Sequence, residues 1–576
     1  MAKSINFSLS FPERQAHYVH VNMEISGYND RPYLDIKMPV WTPGSYLIRE
    51  YPKNVERFAV KDLSGNAIAV EKTKKNTWRV FHENRDIVIS YAVYAFERSV
   101  RTSFIDHEHA FISSAGTFMY IDGDLDQACT VHVQLPEDWQ KISTGLTQLN
   151  NDTFGADDFD QLYDSPLEIG NQDTWTFDVD GTLHECAMVG AADYDKGRLT
   201  ADISKIVREE NKIWGSNPNS YYLFVTHHTS STTGGLEHLN STILAAPRFA
   251  YCQKSTYKAY LGLVAHEYFH LWNVKRLRPK ALGPFNYDEE NYTTGLWIME
   301  GFTSYFDNLV LRRAGIYDEV EYLQQLANDF NLVYNRPGYA LQSAAAASFD
   351  TWIKQYRPDE NSQNVSISYY NKGAMLAVAM DIHILAKSGG EKRLDHALRA
   401  AYEKFYLIEG RGFEENELEE LIRQVTGVDV SEIFQAAHRL GELNYNHYFH
   451  AVGYEMVDTE PFKQALSLGI KTSNNDGKFI VKNIDRESTA WKSNLQVDDE
   501  LIAINGYRID GIGKALDYVL GISSVGDQVQ LLVAREGLLQ QVSVELQHAE
   551  KRSFTIRPRK EATVQEQQLG RIWLSL

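Results

Sequence analysis

Residues 266–270 read His266-Glu267-Tyr268-Phe269-His270. On a helix, histidines four residues apart lie on one face, one turn from each other. This is the spacing with which a helix offers two imidazoles to Zn2+. Glu267 is turned about 100° around the helix from His266, so it faces a water at the metal without binding the metal itself. Leu261, Val264, Ala265, Phe269 and Leu271 give the segment an apolar surface that is expected to be buried in a core. Ser255 and Thr256 are the expected N-caps. Lys275, Arg276 and Arg278 are expected at the C-terminal end, where cations suit the helix dipole, and Pro279 should stop continuation.

A catalytic zinc site has three protein ligands and one open position. The stretch 294–306 carries one carboxylate, Glu300, among apolar and aromatic residues. A carboxylate buried there needs a cation. It can serve as the third zinc ligand or pair with Arg276 or Arg278. Ser304 and Asp307 lie one and two turns beyond it, and either can orient a liganding imidazole.

Trp297 to Phe302 match the W-x-x-E-G-F context of the gluzincin metallopeptidases, in which a glutamate on a later helix follows H-E-x-x-H. The strings at 266–276 and 41–46 (Trp41-Thr42-Pro43-Gly44-Ser45-Tyr46) resemble the glycyl aminopeptidase family, gluzincins with a C-terminal PDZ domain, and the resemblance covers nearly the whole chain. The interval from His270 to Glu300 is longer than in thermolysin, and Asn286 to Asn291 belong to that excursion.

Gly234-Gly235-Leu236-Glu237-His238 is by itself a turn followed by a glutamate, although glycines do let a backbone lie close to a substrate. The resemblance implies more. Glu237 occupies the glutamate of the G-x-M-E-N stretch that grips a substrate's α-ammonium in aminopeptidase gluzincins, with His238 replacing the usual Asn. Tyr370 likewise matches the tyrosine of a Y-x-K-G element that stabilises an oxyanion, with Tyr369 as the rival position. The family also implies a preference for N-terminal glycine or alanine.

The fold expected is multidomain. Alternating apolar stretches before residue 170, broken by turns such as Asn29-Asp30 and Ser64-Gly65, indicate an N-terminal β-sandwich-like domain over 1–172. A thermolysin-like α+β and α-helical catalytic domain follows over 173–458. Its helices are expected at 199–214, 318–333, 373–387, 393–406, 416–425 and 431–439. Residues 459–550 resemble a bacterial PDZ domain, with Asp498-Asp499 where Gly-Asp is usual. Leu468-Gly469-Ile470 is then the loop whose amides receive a chain end, although a domain that only packs against the catalytic part is equally compatible. The tail, 551–576, reads as a solvated strap because of Lys551, Arg552, Arg557, Arg559 and Lys560. Asp106-His107-Glu108-His109 lacks an i+4 partner and reads as a polar loop near the active-site rim, and His184-Glu185 lacks one too.

Composition constrains partners. A formal net charge of −20 argues against nucleic acid or an anionic membrane, and the hydrophobic fraction of 43% suffices for several cores. Cys129, Cys186 and Cys252 form no C-x-x-C, which fits a reducing compartment. The N-terminal residues lack a signal-peptide core and no stretch is long enough to span a bilayer, so a cytoplasmic location is expected.

The parts make a Zn2+-dependent aminopeptidase. His266, His270 and Glu300 are the ligands and Glu267 is the general base. Tyr370 stabilises the oxyanion, and Gly234, Gly235 and Glu237 bind a peptide with a free N-terminus. The alternatives are an endopeptidase, in which Glu237 binds no amine, and a non-catalytic scaffold whose PDZ domain holds a partner peptide. Oligomeric state is not encoded in these features.

Overall fold

The computed structural model describes residues 3–459, 466–510, 513–548 and 551–575. The expected start of the PDZ domain runs into residues 460–465, which lie outside the described residues, as do 1–2, 511–512, 549–550 and 576. The chain forms two compact units. One comprises Met1–Thr293, Phe306–Tyr317 and Asp395–Leu421; the other comprises Thr294–Tyr305, Asp318–Leu394 and Ile422–Leu576.

The first unit begins with the expected β-rich region. Strand Ser4–Ser10 alternates, with Ile5, Phe7 and Leu9 turned inward. It pairs antiparallel with Tyr18–Ser26 and parallel with Cys129–Val133 inside a seven-stranded sheet. One apolar cluster joins this sheet to residues of the four-stranded sheet that contains Leu34–Lys37 and Thr77–Val80. Tyr287, from the excursion after the histidine helix, is buried in this cluster, and its hydroxyl donates to Asp160 at 2.5 Å. Trp41 Nε1 donates to Asn286 O at 2.7 Å. The excursion is thus pinned into the β-rich core.

A second sheet of five strands has the order Asp173–Val179, Thr182–Val189, Tyr221–Thr229, Ser241–Pro247, Gly234–Glu237. Its three central strands are parallel, so the chain crosses between the first two through helix Lys196–Trp214. Gly234–Glu237 pairs antiparallel with Ser241–Pro247 and forms an edge of the sheet. Helix Lys254–Phe269, the histidine helix, follows directly.

The second unit holds helices Glu319–Tyr334 and Tyr369–Lys387 and the PDZ domain. An Asp318–Glu321 capping box starts the first of these, one residue after the position expected from its periodicity. The other begins four residues before the expected Gly373, because Ser368 caps it by accepting from Asn371 N. The PDZ sheet runs from edge strand Ile470–Asn475 through Lys478–Ile484, Glu500–Ile504, Gln528–Arg535 and Leu538–Glu545 around its own core of Val481, Ile504, Leu531 and Val544. Asp498 takes φ 67°, a conformation open to aspartate as well as to the glycine usual there. Asp499 is fully buried and paired with Arg535 at 2.8 Å. Asn364 fastens the PDZ domain to the helical part, donating to Ile484 O at 2.8 Å and accepting from Arg486 N at 2.8 Å.

The tail corrects its sequence reading. Strand Phe554–Pro558 pairs with Tyr454–Asp458, and helix Val564–Leu574 buries Trp573 completely, with Trp573 Nε1 donating to Tyr305 OH at 2.9 Å. Of the basic residues counted in the sequence, Arg557 lies on an exposed position of the strand and Lys551, Arg552, Arg559 and Lys560 flank it, while Phe554, Ile556, Leu569 and Trp573 supply the buried side. A cluster of cations describes one face of a segment and leaves the other undetermined. Among the described residues no helix is long and apolar enough to cross a membrane.

Candidate active site

Tyr257, Tyr260, Leu261, Val264, Ala265, Tyr268 and Phe269 bury the histidine helix on most of its circumference. Its N-cap is Gln253 rather than Ser255 or Thr256; Thr256 lies inside the first turn and donates back to Gln253 O at 3.1 Å. The helix ends earlier than expected, with His270 at the C-cap. Arg276 folds back to donate to Leu271 O at 2.7 Å, which supplies the C-terminal cation from beyond the helix. Val274, in the turn that follows, takes φ 110°, where β-branched residues are rare, and bonds from Val274 N to Leu277 O and from Lys275 N to His270 O enclose it.

The two histidines are held with their Nε2 atoms 3.1 Å apart. His266 Nδ1 bonds Asp307 Oδ2 at 3.0 Å, and His270 Nδ1 bonds Asn273 O at 2.7 Å. Each ring therefore has one nitrogen tied to an acceptor, which leaves Nε2 as the lone-pair nitrogen on both. Two nitrogens about 2.0–2.1 Å from one tetrahedral zinc stand roughly 3.3 Å apart. Of the two orienting candidates, Asp307 takes the role.

Helix Leu296–Arg313 carries both Glu300 and Asp307. Seven residues make almost two full turns, so Glu300 stands on the face that Asp307 commits to His266. Phe306 stacks on Phe269 at 5.1 Å and sets the same facing. Donor atoms of His266, His270 and Glu300 all lie within 4.8 Å of one another, and Glu300 is 2% exposed. Two imidazoles and one carboxylate are a donor set that fits Zn2+. Arg276, the rival partner of Glu300, spends its guanidinium on Leu271 O, Leu239 O and Asn219 Oδ1.

Tyr370 stands in the first turn of helix Tyr369–Lys387 and stacks on Tyr369 at 4.7 Å. Burial, with the Glu300 carboxylate beside it, raises its phenol well above the usual range and keeps it a donor. The glycines of the two motifs explain how Tyr370 comes near Glu300. A Cβ on Gly301 would lie 2.4 Å from Gly373 Cα, and one on Gly373 would lie 2.3 Å from Trp297 O. The two helices cross there backbone to backbone. Either glycine changed to alanine is expected to cost at least about 1–3 kcal/mol in urea denaturation, because backbone rather than a flexible side chain must move. A midpoint unchanged in both variants would contradict the crossing.

Gly235 faces Glu267, and a Cβ there would lie 2.1 Å from Glu267 Oε1. Gly234, at φ 146°, has open space beside it. Glu237 is 4% exposed, and its Oε1 has no partner among the described residues. The turn at 41–46 closes on it, for a Cβ on Gly44 would lie 2.6 Å from Oε1 and 2.8 Å from Oε2. His238 turns away to Asp164 at 3.0 Å. The hydroxyls of Tyr369 and Thr351 share a hydrogen bond at 2.9 Å.

Two site neighbours carry no local sequence signal. Asp164 receives His238, Leu239 N at 2.8 Å and Lys275 at 2.6 Å, tying the turn after Glu237 to the loop after the histidine helix. Burial opposes its charge, yet the Lys275 ammonium and His238 hold its carboxyl below the ordinary value. Glu210, on helix Lys196–Trp214, is fully buried with neither oxygen partnered among the described residues; burial, and then the nearby Asp307, push its carboxyl well above the ordinary range. His184 is an internal bond, 2.9 Å from Tyr268 OH.

Comparison with known proteins agrees with this architecture. Residues 6–171 match the Peptidase M61 N-terminal domain, 259–376 match M61 glycyl aminopeptidase, and 467–546 match a PDZ domain. The crystal structure of an aminopeptidase N family protein from Idiomarina loihiensis is similar at 27% identity and TM-score 0.92, over 99% of this chain and 100% of that one. An M1 zinc metallopeptidase from Deinococcus radiodurans is 13% identical with TM-score 0.49, over 77% of this chain and 95% of its own. No curated protein matches in sequence. With the two M61 models matched in order along the chain, a PDZ domain after them and a donor set suited to Zn2+, the chain is a zinc metallopeptidase with the domain order of the M61 glycyl aminopeptidase models.

Proposed function

We propose that the chain removes single residues from the N-terminus of peptides, with a preference for glycine or alanine. His266, His270 and Glu300 would hold Zn2+, which when bound lowers the pKa of water toward about 7 and polarises a carbonyl. Glu267 accepts a proton from the attacking water and returns it to the leaving amine. The Tyr370 phenol donates to the carbonyl oxygen as that oxygen gains charge. Glu237 accepts from the substrate's α-ammonium and so sets the cut one residue from the chain end.

The observation that carries the aminopeptidase reading is Glu237, a buried carboxylate with an unpartnered oxygen on the edge strand whose Gly235 abuts Glu267. An anion buried in that state calls for a cation from outside the chain. The close approach of Gly44 supports a small first residue, because it confines the space beside the carboxylate. Among the described residues strand Ile470–Asn475 ends the PDZ sheet and leaves an edge for a second, extended peptide. In the loop expected to receive its terminus, the Gly469 amide donates to Ser467 Oγ at 3.0 Å.

Steady-state rates on paired free and N-acetylated peptides test the reading. Wild type should barely cleave the acetylated member. Glu237→Gln should lose about 10- to 150-fold on free-amine substrates, the equivalent of one charge-assisted contact. Equal cleavage of both members by wild type would make the protein an endopeptidase. Glycyl, alanyl and leucyl substrates of one series measure the preference, and a leucyl rate equal to the glycyl rate would remove it.

A further inference from the structure

Lys372 breaks two local rules at once. It closes the first turn of helix Tyr369–Lys387, at the positive end of the helix dipole, where a cation is unfavourable. It is also only 4% exposed, and its ammonium has no hydrogen bond or ion pair among the described residues. An unpaired ammonium is costly to bury, and burial pushes this one down to about 8. An apolar side chain of the same volume would fill such a place at lower cost. A conflict of this kind between a residue and its surroundings is expected where a function requires it.

Two aromatic faces receive the charge. Lys372 Nζ lies 4.7 Å from the centre of the Tyr339 ring and 5.8 Å from that of Tyr445. Both rings are held from behind. Tyr339 donates its hydroxyl to Gly441 O at 3.3 Å and meets Tyr334 edge-on at 4.9 Å, while Tyr445 meets Phe330 edge-on at 4.8 Å. The short helix Pro337–Ala340, which carries Tyr339, is itself seated tightly, for a Cβ on Gly338 would lie 2.4 Å from Ser366 N. The acid whose charge acts on Lys372 is Glu442, and it is paired with Arg552 at 3.4 Å.

Tyr370 stands two residues before Lys372, about 200° around the same turn, so the cage grips this turn on the side away from Tyr370. Gly373, three residues after Tyr370, returns to within about 60° of it and is pressed against Trp297 O and Gly301. The turn is thus held on two sides. First turns of helices fray, because their leading amides have no intrahelical acceptor, whereas a hydrogen-bond donor to a reacting oxygen must be placed to a fraction of an ångström. We propose that Lys372 is a positioning residue for the reaction: its caged ammonium fixes the first turn of helix Tyr369–Lys387 and with it the Tyr370 phenol. This role rests on Tyr370 being the donor to the carbonyl oxygen.

A double-mutant cycle on the zinc-loaded full chain, read with a peptide that has a free N-terminus, tests both statements separately. Lys372→Met keeps the length of the side chain and loses its charge. It should retain about one zinc per chain, lower kcat by about 10- to 100-fold and leave KM within about 2-fold of wild type. Tyr370→Phe alone should lower kcat by about 10²-fold or more. In the Tyr370→Phe background, Lys372→Met should cost less than about 2-fold further, because no phenol is left to position. Tyr339→Leu removes one face of the cage and should repeat both results, which keeps the cycle decisive if Lys372→Met fails to fold. A wild-type kcat in Lys372→Met, or an equal loss in the two backgrounds, would assign the lysine to packing alone and overturn its role while Tyr370 keeps its own. A wild-type kcat in Tyr370→Phe would take the phenol out of the reaction, and the role of Lys372 would fall with it.

Discussion

His270→Ala is expected to remove bound zinc and peptidase activity together. Zinc content by elemental analysis should fall from about one per chain to near zero, and activity should fall below detection. His270 is 1% exposed, its Nδ1 is committed to Asn273 O, and its Nε2 faces His266 Nε2 at 3.1 Å. Removing it leaves one imidazole and one carboxylate, too few donors to hold the ion against water. Circular dichroism guards against a trivial unfolding, because the truncation also opens a small cavity in the core. Wild type stripped by a chelator should behave like the variant and recover when zinc is returned. Full activity of the stripped protein would end the metal reading.

Glu267→Gln separates proton transfer from metal binding. The amide keeps the size and shape of the side chain but cannot accept the proton, so zinc should remain at about one per chain while kcat drops about 10²- to 10⁴-fold. KM should change little, because the residue acts on the reacting water rather than on substrate binding. Gly235 marks how tightly the carboxylate is placed, since it has no room for a Cβ against Glu267 Oε1. A variant with zinc and kcat both near wild type would mean that another group is the base.

The parts of the site that were readable in the chain are those whose chemistry is local. H-E-x-x-H needs only helical periodicity to bring two imidazoles together, and the helix Lys254–Phe269 supplies it. Glu300 was conspicuous because a lone carboxylate in an apolar stretch is costly without a cation. Helix ends were less legible. Thr256 has a capping side chain, yet it bonds backwards inside the first turn, and local rules cannot tell which of two adjacent turns the backbone starts from. The tail misled for a related reason. Its cations are real, but Trp573 is fully buried, and only the partner surface at Tyr305 makes that face a core.

By itself the sequence determined the alternating strands of the β-rich region and the helix that sets two imidazoles on one face with a carboxylate beside them, because each follows from residue chemistry at short spacing. Tertiary structure alone decided that Asp307 rather than Ser304 orients His266 and that Gly301 and Gly373 exist for a helix crossing. It also decided that Gly44, far away in the chain, closes on Glu237, and that Glu168 gathers His109 and His227. These are contacts between residues distant along the chain. No periodicity links such pairs, and their energies come from packing and desolvation that arise only once the chain has folded.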